Sequence, residues 1–133
     1  MMALWLLAAC GEPNCEGLYA PSLLLVRLDA SSWPDGDYTV SLLDADTFDE
    51  LTCTATLPAG TSECDDEQST IKIIDGALTQ VEAWGFTPDT VTVTVDRDGE
   101  TLWLGDVDPV YEEDEPAGEE CGTRRVGAID VAW

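Results

Sequence analysis

Strict alternation of valine and threonine over residues 91–95 is the feature that most narrows the folds open to this chain. In an extended strand, Val91, Val93 and Val95 project to one side and the two intervening threonines project to the other. A helix would scatter the valines around its circumference, because its period is 3.6 residues. β-Branched residues also favour strands. The stretch therefore predicts a β-strand with one face in an apolar core.

Short apolar segments of this kind recur along the chain, with turn residues between them. Asp-Gly pairs at 75–76 and 98–99 are typical of two-residue hairpin turns. No segment combines sustained helical periodicity with helix caps. The pattern predicts an all-β fold, a single antiparallel β-sandwich of about seven to eight strands. The predicted strands lie at residues 23–28, 38–42, 51–57, 71–73, 77–84, 91–95, 102–104 and 126–133, and an acidic loop spans 106–120.

The chain is strongly acidic. Of its 133 residues, 28 are Asp or Glu and 5 are Lys or Arg, so that the formal net charge is −23. A chain of this length has room for one domain with one core. An acidic surface repels nucleic acid and anionic lipid headgroups, which argues against nucleic-acid binding. Partners are expected to be cationic, or divalent ions, or bound through an apolar patch. The simpler interpretation is a solvated acidic coat.

The first nine residues form an apolar run without a charged side chain. A membrane-spanning helix needs about 20 apolar residues, so this run indicates the apolar core of an export signal. Leu7-Ala8-Ala9-Cys10 resembles the lipobox of bacterial lipoproteins. The resemblance implies cleavage before Cys10 and a diacylglycerol attached to its sulfur. The stretch departs from the family pattern because the apolar run is short and no Lys or Arg precedes it.

The lipobox resemblance also implies an organisation and a location. It divides the chain into a signal peptide at 1–9, a lipid anchor and tether at 10–21, and a β-sandwich domain at 22–133. Two acyl chains are enough for stable anchoring in a membrane. Gly11 stands where an Asp commonly marks retention in the inner membrane. The protein is therefore expected to be exported and anchored in the outer membrane of a Gram-negative bacterium.

The cysteines agree with export to an oxidising compartment. The chain has five, an odd number, and lipidation of Cys10 leaves four for two disulfides. Eleven positions separate Cys53 from Cys64, a spacing that suits closure of a hairpin. Cys15 precedes the first predicted strand and Cys121 precedes the last, and the ends of a domain are often close together. We therefore predict Cys53–Cys64 and Cys15–Cys121. Zinc is disfavoured, because the chain has no His and no Cys-x-x-Cys pair.

Three further stretches carry a second resemblance. They are a Trp-x-Asp-Gly-x-Tyr motif at 33–38, a Thr/Val strand with an Asp-Gly hairpin at 91–99, and a Pro-x-Tyr-x-x-x-x-Pro-x-Gly-x-x-Cys-Gly loop at 109–122. Together with the lipobox they resemble small bacterial lipoproteins that carry an immunoglobulin-like or transthyretin-like β-sandwich. These motifs are structural, so the resemblance implies a fold and supplies no catalytic residues.

Acidic groupings are the candidates for a cation site. Calcium takes six to eight oxygen ligands, which loops at one end of a sandwich can supply. No grouping has the spacing of an EF-hand loop. The candidate calcium ligands are Asp106, Asp108, Glu112, Glu113 and Asp114, next to Glu115; the other groupings are Asp35 with Asp37, and Asp44, Asp46 and Asp49 with Glu50. Chance clustering of 28 acidic residues is the alternative, and no other cofactor is expected.

Tryptophan is abundant for a small domain. Trp33, Trp84, Trp103 and Trp133 remain after removal of the signal peptide, and core packing is the simpler interpretation of all four. Aromatic side chains exposed at loop ends would instead bind sugars or proteins.

An enzyme is not expected, because there is no His for general-base work and a small sandwich offers little cleft. The predicted function is that of a lipid-anchored envelope protein whose sandwich is a structural or protein-interaction module. The alternative is a lipoprotein that binds a ligand, either calcium or a carbohydrate.

Overall fold

Ten β-strands make up the described part of the chain. The computed structural model describes residues 21–115 and 122–133. The strands are β1 (Leu23–Asp29), β2 (Gly36–Asp44), β3 (Glu50–Leu57), β4 (Thr61–Cys64), β5 (Thr70–Ile74), β6 (Ala77–Trp84), β7 (Val91–Arg97), β8 (Glu100–Val107), β9 (Tyr111–Asp114) and β10 (Arg124–Ala132). The prediction of an all-β fold is confirmed. The predicted number of seven to eight strands is wrong, because β4 and β9 are additional.

The two additional strands are short and polar. Each has four residues, and β9 lies within the 106–120 stretch that the sequence predicts as a loop. Backbone pairing holds both strands in place: β4 pairs with β3, and β9 pairs with β10. A ladder needs only N–H and C=O groups, so such strands lack the apolar alternation by which strands are predicted.

The strands form two five-stranded sheets. Sheet A has the order β5-β6-β1-β10-β9, and sheet B has the order β4-β3-β2-β7-β8. All neighbours are antiparallel except β1 and β10, which pair in parallel from Leu23–Val126 to Asp29–Ala132. The predicted antiparallel pairing is therefore confirmed for the described strands except at this pair. Parallel neighbours need a long connection, and here almost the whole domain lies between the two strands.

The core lies between the sheets and consists of alternate residues of the central strands. Val91, Val93 and Val95 of β7 are fully buried, as their alternation with threonine predicts. Leu24 and Val26 of β1 are fully buried in sheet A. Side chains from the two inner faces therefore form one apolar layer, and the residues between them face outward.

The strand directions gather several chain segments at one end of the sandwich. We call this end proximal because the chain enters β1 there. At the proximal end the Gly85 N–H donates to the Ser22 carbonyl (2.6 Å), and the Ala45 N–H donates to the Thr90 carbonyl (3.0 Å). The proximal end comprises residues 21–22, the 45–49 turn, the 85–90 loop and the 108–110 segment. The β5–β6 and β7–β8 hairpin turns lie at the opposite, distal end.

A disulfide joins Cys53 of β3 to Cys64 of β4. The two residues are direct partners in the ladder, and their Cα atoms are 4.0 Å apart. The predicted Cys53–Cys64 bridge is confirmed. The predicted Cys15–Cys121 bridge lies outside the described residues, although the first and last strands do lie side by side.

In the two described ranges, no helix is long and apolar enough to cross a bilayer. Cys10 and the 1–9 segment lie outside those ranges.

Candidate functional site

All five Lys and Arg side chains contact a carboxylate of the same chain. The pairs are Arg27–Asp130 (3.6 Å), Lys72–Glu82 (3.3 Å), Arg97–Asp98 (4.0 Å), Arg124–Asp114 (2.7 Å) and Arg125–Asp89 (3.0 Å). Exposed ion pairs contribute about 0–1 kcal/mol each, so their main consequence here is electrostatic. Every Lys and Arg side chain is therefore matched locally, and the remaining acidic side chains set the sign of the surface potential.

Two of the five predicted calcium ligands lie on sheet B. Asp106 belongs to β8 and accepts a hydrogen bond from the Thr92 hydroxyl (2.7 Å). Asp108 follows β8 and accepts one from the Thr90 hydroxyl (2.6 Å). Both carboxylates are exposed at the surface. The threonine hydroxyls therefore hold them in place along the outer side of the sheet.

The other three predicted ligands, Glu112, Glu113 and Asp114, lie on β9 of sheet A. Asp114 accepts a hydrogen bond from the Arg124 guanidinium (2.7 Å). Across residues 21–115 and 122–133, no three Cys, Asp or Glu side chains are grouped so that they could hold a metal ion. The five carboxylates are therefore divided between the two sheets, and they do not converge.

The two other acidic groupings have structural partners. The Asp44 carboxylate accepts hydrogen bonds from the backbone N–H groups of Asp46 (2.9 Å) and Thr47 (3.3 Å) in the β2–β3 turn. These bonds lower the pKa of Asp44, and the bond from the Asp46 N–H has the largest effect. Asp37 accepts a hydrogen bond from the Thr56 hydroxyl (2.9 Å) on the neighbouring strand. Asp44 therefore stabilises a turn, and Asp37 links two neighbouring strands.

The predicted core role of tryptophan is confirmed for three residues. Trp33, Trp103 and Trp133 are partly buried and pack against the core. The Trp33 ring lies 5.4 Å from the Tyr38 ring and 5.1 Å from the Trp133 ring, centroid to centroid. Trp84, at the end of β6, is half-buried. The aromatic cluster closes the distal end of the sandwich, where contacts of this kind add about 0.5–1.5 kcal/mol per pair.

Tyr111 fixes β9 to the edge of sheet A. Its hydroxyl donates to the Pro88 carbonyl (2.6 Å), and the Arg125 guanidinium lies 4.1 Å above its ring. Arg125 in turn contacts Asp89 at 3.0 Å. The ring lies so close to Gly127 that a Cβ there would be 2.7 Å from the Tyr111 Cδ1 atom. Burial of the phenol raises the pKa of Tyr111 to about 12 against the opposing effect of Arg125.

The two acidic strands lie on the same side of the sandwich. β8 and β9 are the edge strands of sheets B and A, and β8 contacts β10, the neighbour of β9. Leu104, near the middle of β8, is 64% exposed. We name this side the β8–β9 flank and define it by Leu104, Asp106, Asp108, Glu112 and Glu113. The sequence identified the carboxylates of this flank. It did not predict that Leu104 is exposed beside them, because no local pattern distinguishes an edge strand from a central one.

Salt is expected to stabilise the domain. The net charge of −23 makes the compact state repel itself, and added salt screens that repulsion. The midpoint of thermal unfolding should therefore rise between low salt and about 0.5 M NaCl, where the Debye length falls to ~4 Å. A stabilisation of about 1 kcal/mol would appear as ~4 °C.

The matched control for that experiment is calcium at the same ionic strength. An unchanged midpoint in NaCl would contradict the electrostatic explanation. A rise in millimolar calcium that monovalent salt does not reproduce would instead show a specific cation site.

The surface of this sandwich can recognise partners by charge, by apolar contact and by its edge backbone. A groove of about 310 Å³ between β4 and β5, on the side opposite the β8–β9 flank, is also lined by acidic side chains, among them Glu63 and Glu67. Comparison of the chain with protein-family models, with curated proteins and with solved structures returns no match.

Proposed function

We propose that this chain is a bacterial lipoprotein, exported and anchored in the outer membrane through Cys10, whose sandwich is a structural or protein-interaction module of the cell envelope. The observation that carries the proposal is the Leu7-Ala8-Ala9-Cys10 sequence, placed only 13 positions (23 − 10) before the first residue of β1. A tether of this length spans at most ~45 Å when fully extended. The domain is thus held close to the membrane surface.

The surface of the proximal end supports this orientation. Phe48, in the turn after β2, and Val110, in the segment after β8, are 75% and 82% exposed. Both lie at the end of the sandwich where the chain enters β1. Exposed apolar side chains at that end suit contact with a membrane interface. The distal end then faces away from the lipid.

The charge of the domain supports a protein as its partner. With every Lys and Arg matched by a carboxylate, the surface attracts cationic molecules and repels nucleic acid and anionic headgroups. Complementary charge increases the rate of association and the selectivity between partners. We infer that the partner is an envelope protein with a basic surface.

For the finer fold class we propose the transthyretin-like alternative. In the immunoglobulin order, the first two strands share one sheet. In this chain β1 lies in sheet A between β6 and β10, and β2 lies in sheet B between β3 and β7. Of the two sandwich types named from the sequence, this separation favours the transthyretin-like one over the immunoglobulin-like one.

Replacement of Cys10 by serine tests the anchor. Cys10→Ser should move the protein from the membrane fraction to the soluble exported fraction, because the hydroxyl cannot form the thioether that carries the two acyl chains. Cell fractionation followed by immunoblotting measures the change.

The matched control is Cys15→Ser, which removes a cysteine five positions away and should leave the protein in the membrane. Gly11→Asp should redirect the anchored protein to the inner membrane. An intact mass that shows a mature N-terminus without lipid would contradict the proposal.

A further inference from the structure

The four edges of the two sheets differ in how they are protected from added strands. In the described residues the edges are β4 and β8 in sheet B, and β5 and β9 in sheet A. β4 and β9 have four residues each, and the disulfide ties β4 to β3. β5 has five residues, an irregular register and a lysine, Lys72. Short length, bulges and lysine are the usual devices that protect an edge.

β8 has the least of this protection. It has eight residues and contains no Lys and no Pro. Its one irregularity, where Val95 pairs with Trp103 and Asp96 with Thr101, lies toward the β7–β8 turn and leaves residues 103–107 in regular register. Along an edge strand, alternate N–H and C=O groups point away from the sheet and are free to pair with another strand.

The side chains of β8 differ between its two faces. Trp103 pairs directly with the buried Val95, so it lies on the inner face, where it covers Gly105 so closely that a Cβ there would be 2.8 Å from the indole. Leu104 and Asp106 lie on the outer face, opposite Thr94 and Thr92. An added strand would meet apolar surface on its inner side, and an apolar side chain and a carboxylate on its outer side.

The electrostatics of the flank then select the occupant. Asp106, Asp108, Glu112 and Glu113 lie along this side, and both neighbouring arginines, Arg124 and Arg125, are matched by their own carboxylates. A second copy of the chain would bring −23 against −23. A basic segment is attracted to the same surface.

From these observations we infer that β8 accepts an extended segment of a partner protein as a sixth strand of sheet B. The segment has apolar side chains that face inward against Trp103, and Lys or Arg side chains that face outward over Asp106. Main-chain hydrogen bonds provide the affinity, and the alternating side chains provide the specificity. The inference rests on the proposed function, because it names the site and the chemistry of the protein partner.

The test uses the full chain in a non-ionic detergent at about 0.15 M salt, where exposed charges are screened beyond ~8 Å. The probe is an acetylated and amidated peptide of alternating Val and Lys with eight residues, the length of β8. The control peptide has the same sequence with alternate backbone nitrogens methylated, which removes the pairing N–H groups and leaves the charge unchanged. The unmethylated peptide should bind at least about tenfold more tightly, because several backbone hydrogen bonds are lost in the control.

Matched variants locate the site. Leu104→Lys should weaken binding of the unmethylated peptide by about tenfold, because it places a like charge on the edge beside the outward-facing lysines of the peptide. Ile74→Lys is the control, since Ile74 is also exposed (56%) but lies on β5, at the opposite edge of sheet A. It should change the affinity by less than about twofold. Amide chemical-shift changes should concentrate on β8.

Other outcomes would overturn the inference. Equal binding of the methylated peptide would show that charge alone attracts it, and equal losses in the two lysine variants would exclude β8 as the site. Formation of a dimer by the chain alone, abolished by Leu104→Lys, would show that the occupant is a second copy. These results do not depend on the anchor, so the Cys10→Ser fractionation and the peptide experiment can fail separately.

Discussion

Replacement of Leu24 by alanine is expected to lower the free energy of unfolding by about 2–5 kcal/mol. Leu24 is fully buried on β1, which lies at the centre of sheet A between β6 and β10. Truncation removes apolar surface from the core and leaves a cavity. The cavity can close only in part, because backbone ladders on both sides hold β1 in place. Urea-induced unfolding, followed by tryptophan fluorescence, measures the change.

Leu104→Ala is the matched control for this prediction. It makes the same chemical change at a leucine that is 64% exposed on an edge strand. Its effect should stay within about 0.5 kcal/mol, as for surface substitutions away from special features. Similar losses in the two variants would contradict the assignment of β1 to the centre of the core.

Removal of the Cys53–Cys64 bridge is expected to lower the free energy of unfolding by about 3 kcal/mol. The two cysteines are 11 positions apart, and cross-linking a loop of this size restricts the unfolded chain by that amount in the chain-entropy model. The variant is Cys53→Ala with Cys64→Ala, because Cys53 is buried and a serine hydroxyl there would add a desolvation penalty of its own. Urea unfolding of the oxidised proteins gives the difference.

A reducing agent serves both as the control and as the test of the second bridge. If Cys53–Cys64 were the only disulfide, the double variant would be insensitive to reduction. If Cys15–Cys121 is also present, reduction should destabilise the double variant by a further ~4–5 kcal/mol, because the second loop is much longer. Non-reducing peptide mapping identifies the linkage directly. A Cys15–Cys53 or Cys64–Cys121 peptide would contradict both predicted bridges.

The acidic residues show why composition alone does not locate a site. The sequence singled out Asp106, Asp108, Glu112, Glu113 and Asp114 as one group because they are close in number. In the fold they are divided between two sheets, and Asp114 forms an ion pair with Arg124. What they share is an edge of the sandwich, where their negative charges together attract cationic groups.

Local sequence patterns determined several features of this fold. Alternation at 91–95 placed the valines of β7 in the core, because successive side chains of a strand point to opposite faces. The Asp-Gly turns positioned the β5–β6 and β7–β8 hairpins, where Asp75 and Asp98 adopt positive φ. The spacing of Cys53 and Cys64 predicted their bridge. Each of these features depends on residues within about a dozen positions of one another, so the sequence states them directly.

Tertiary structure alone decided how the strands share two sheets. The parallel pairing of β1 with β10 joins residues that lie about 100 positions apart, and it depends on the whole chain between them. Among the described strands, the same arrangement leaves β8 at an edge and gives β4 and β9 their partners. An edge strand has no pairing partner on one side, and no local pattern in the sequence indicates this. The physical reason is that almost any residue can pair through its backbone, proline being the exception because it has no N–H. Which strand lies at an edge therefore depends on how all the strands pair with one another.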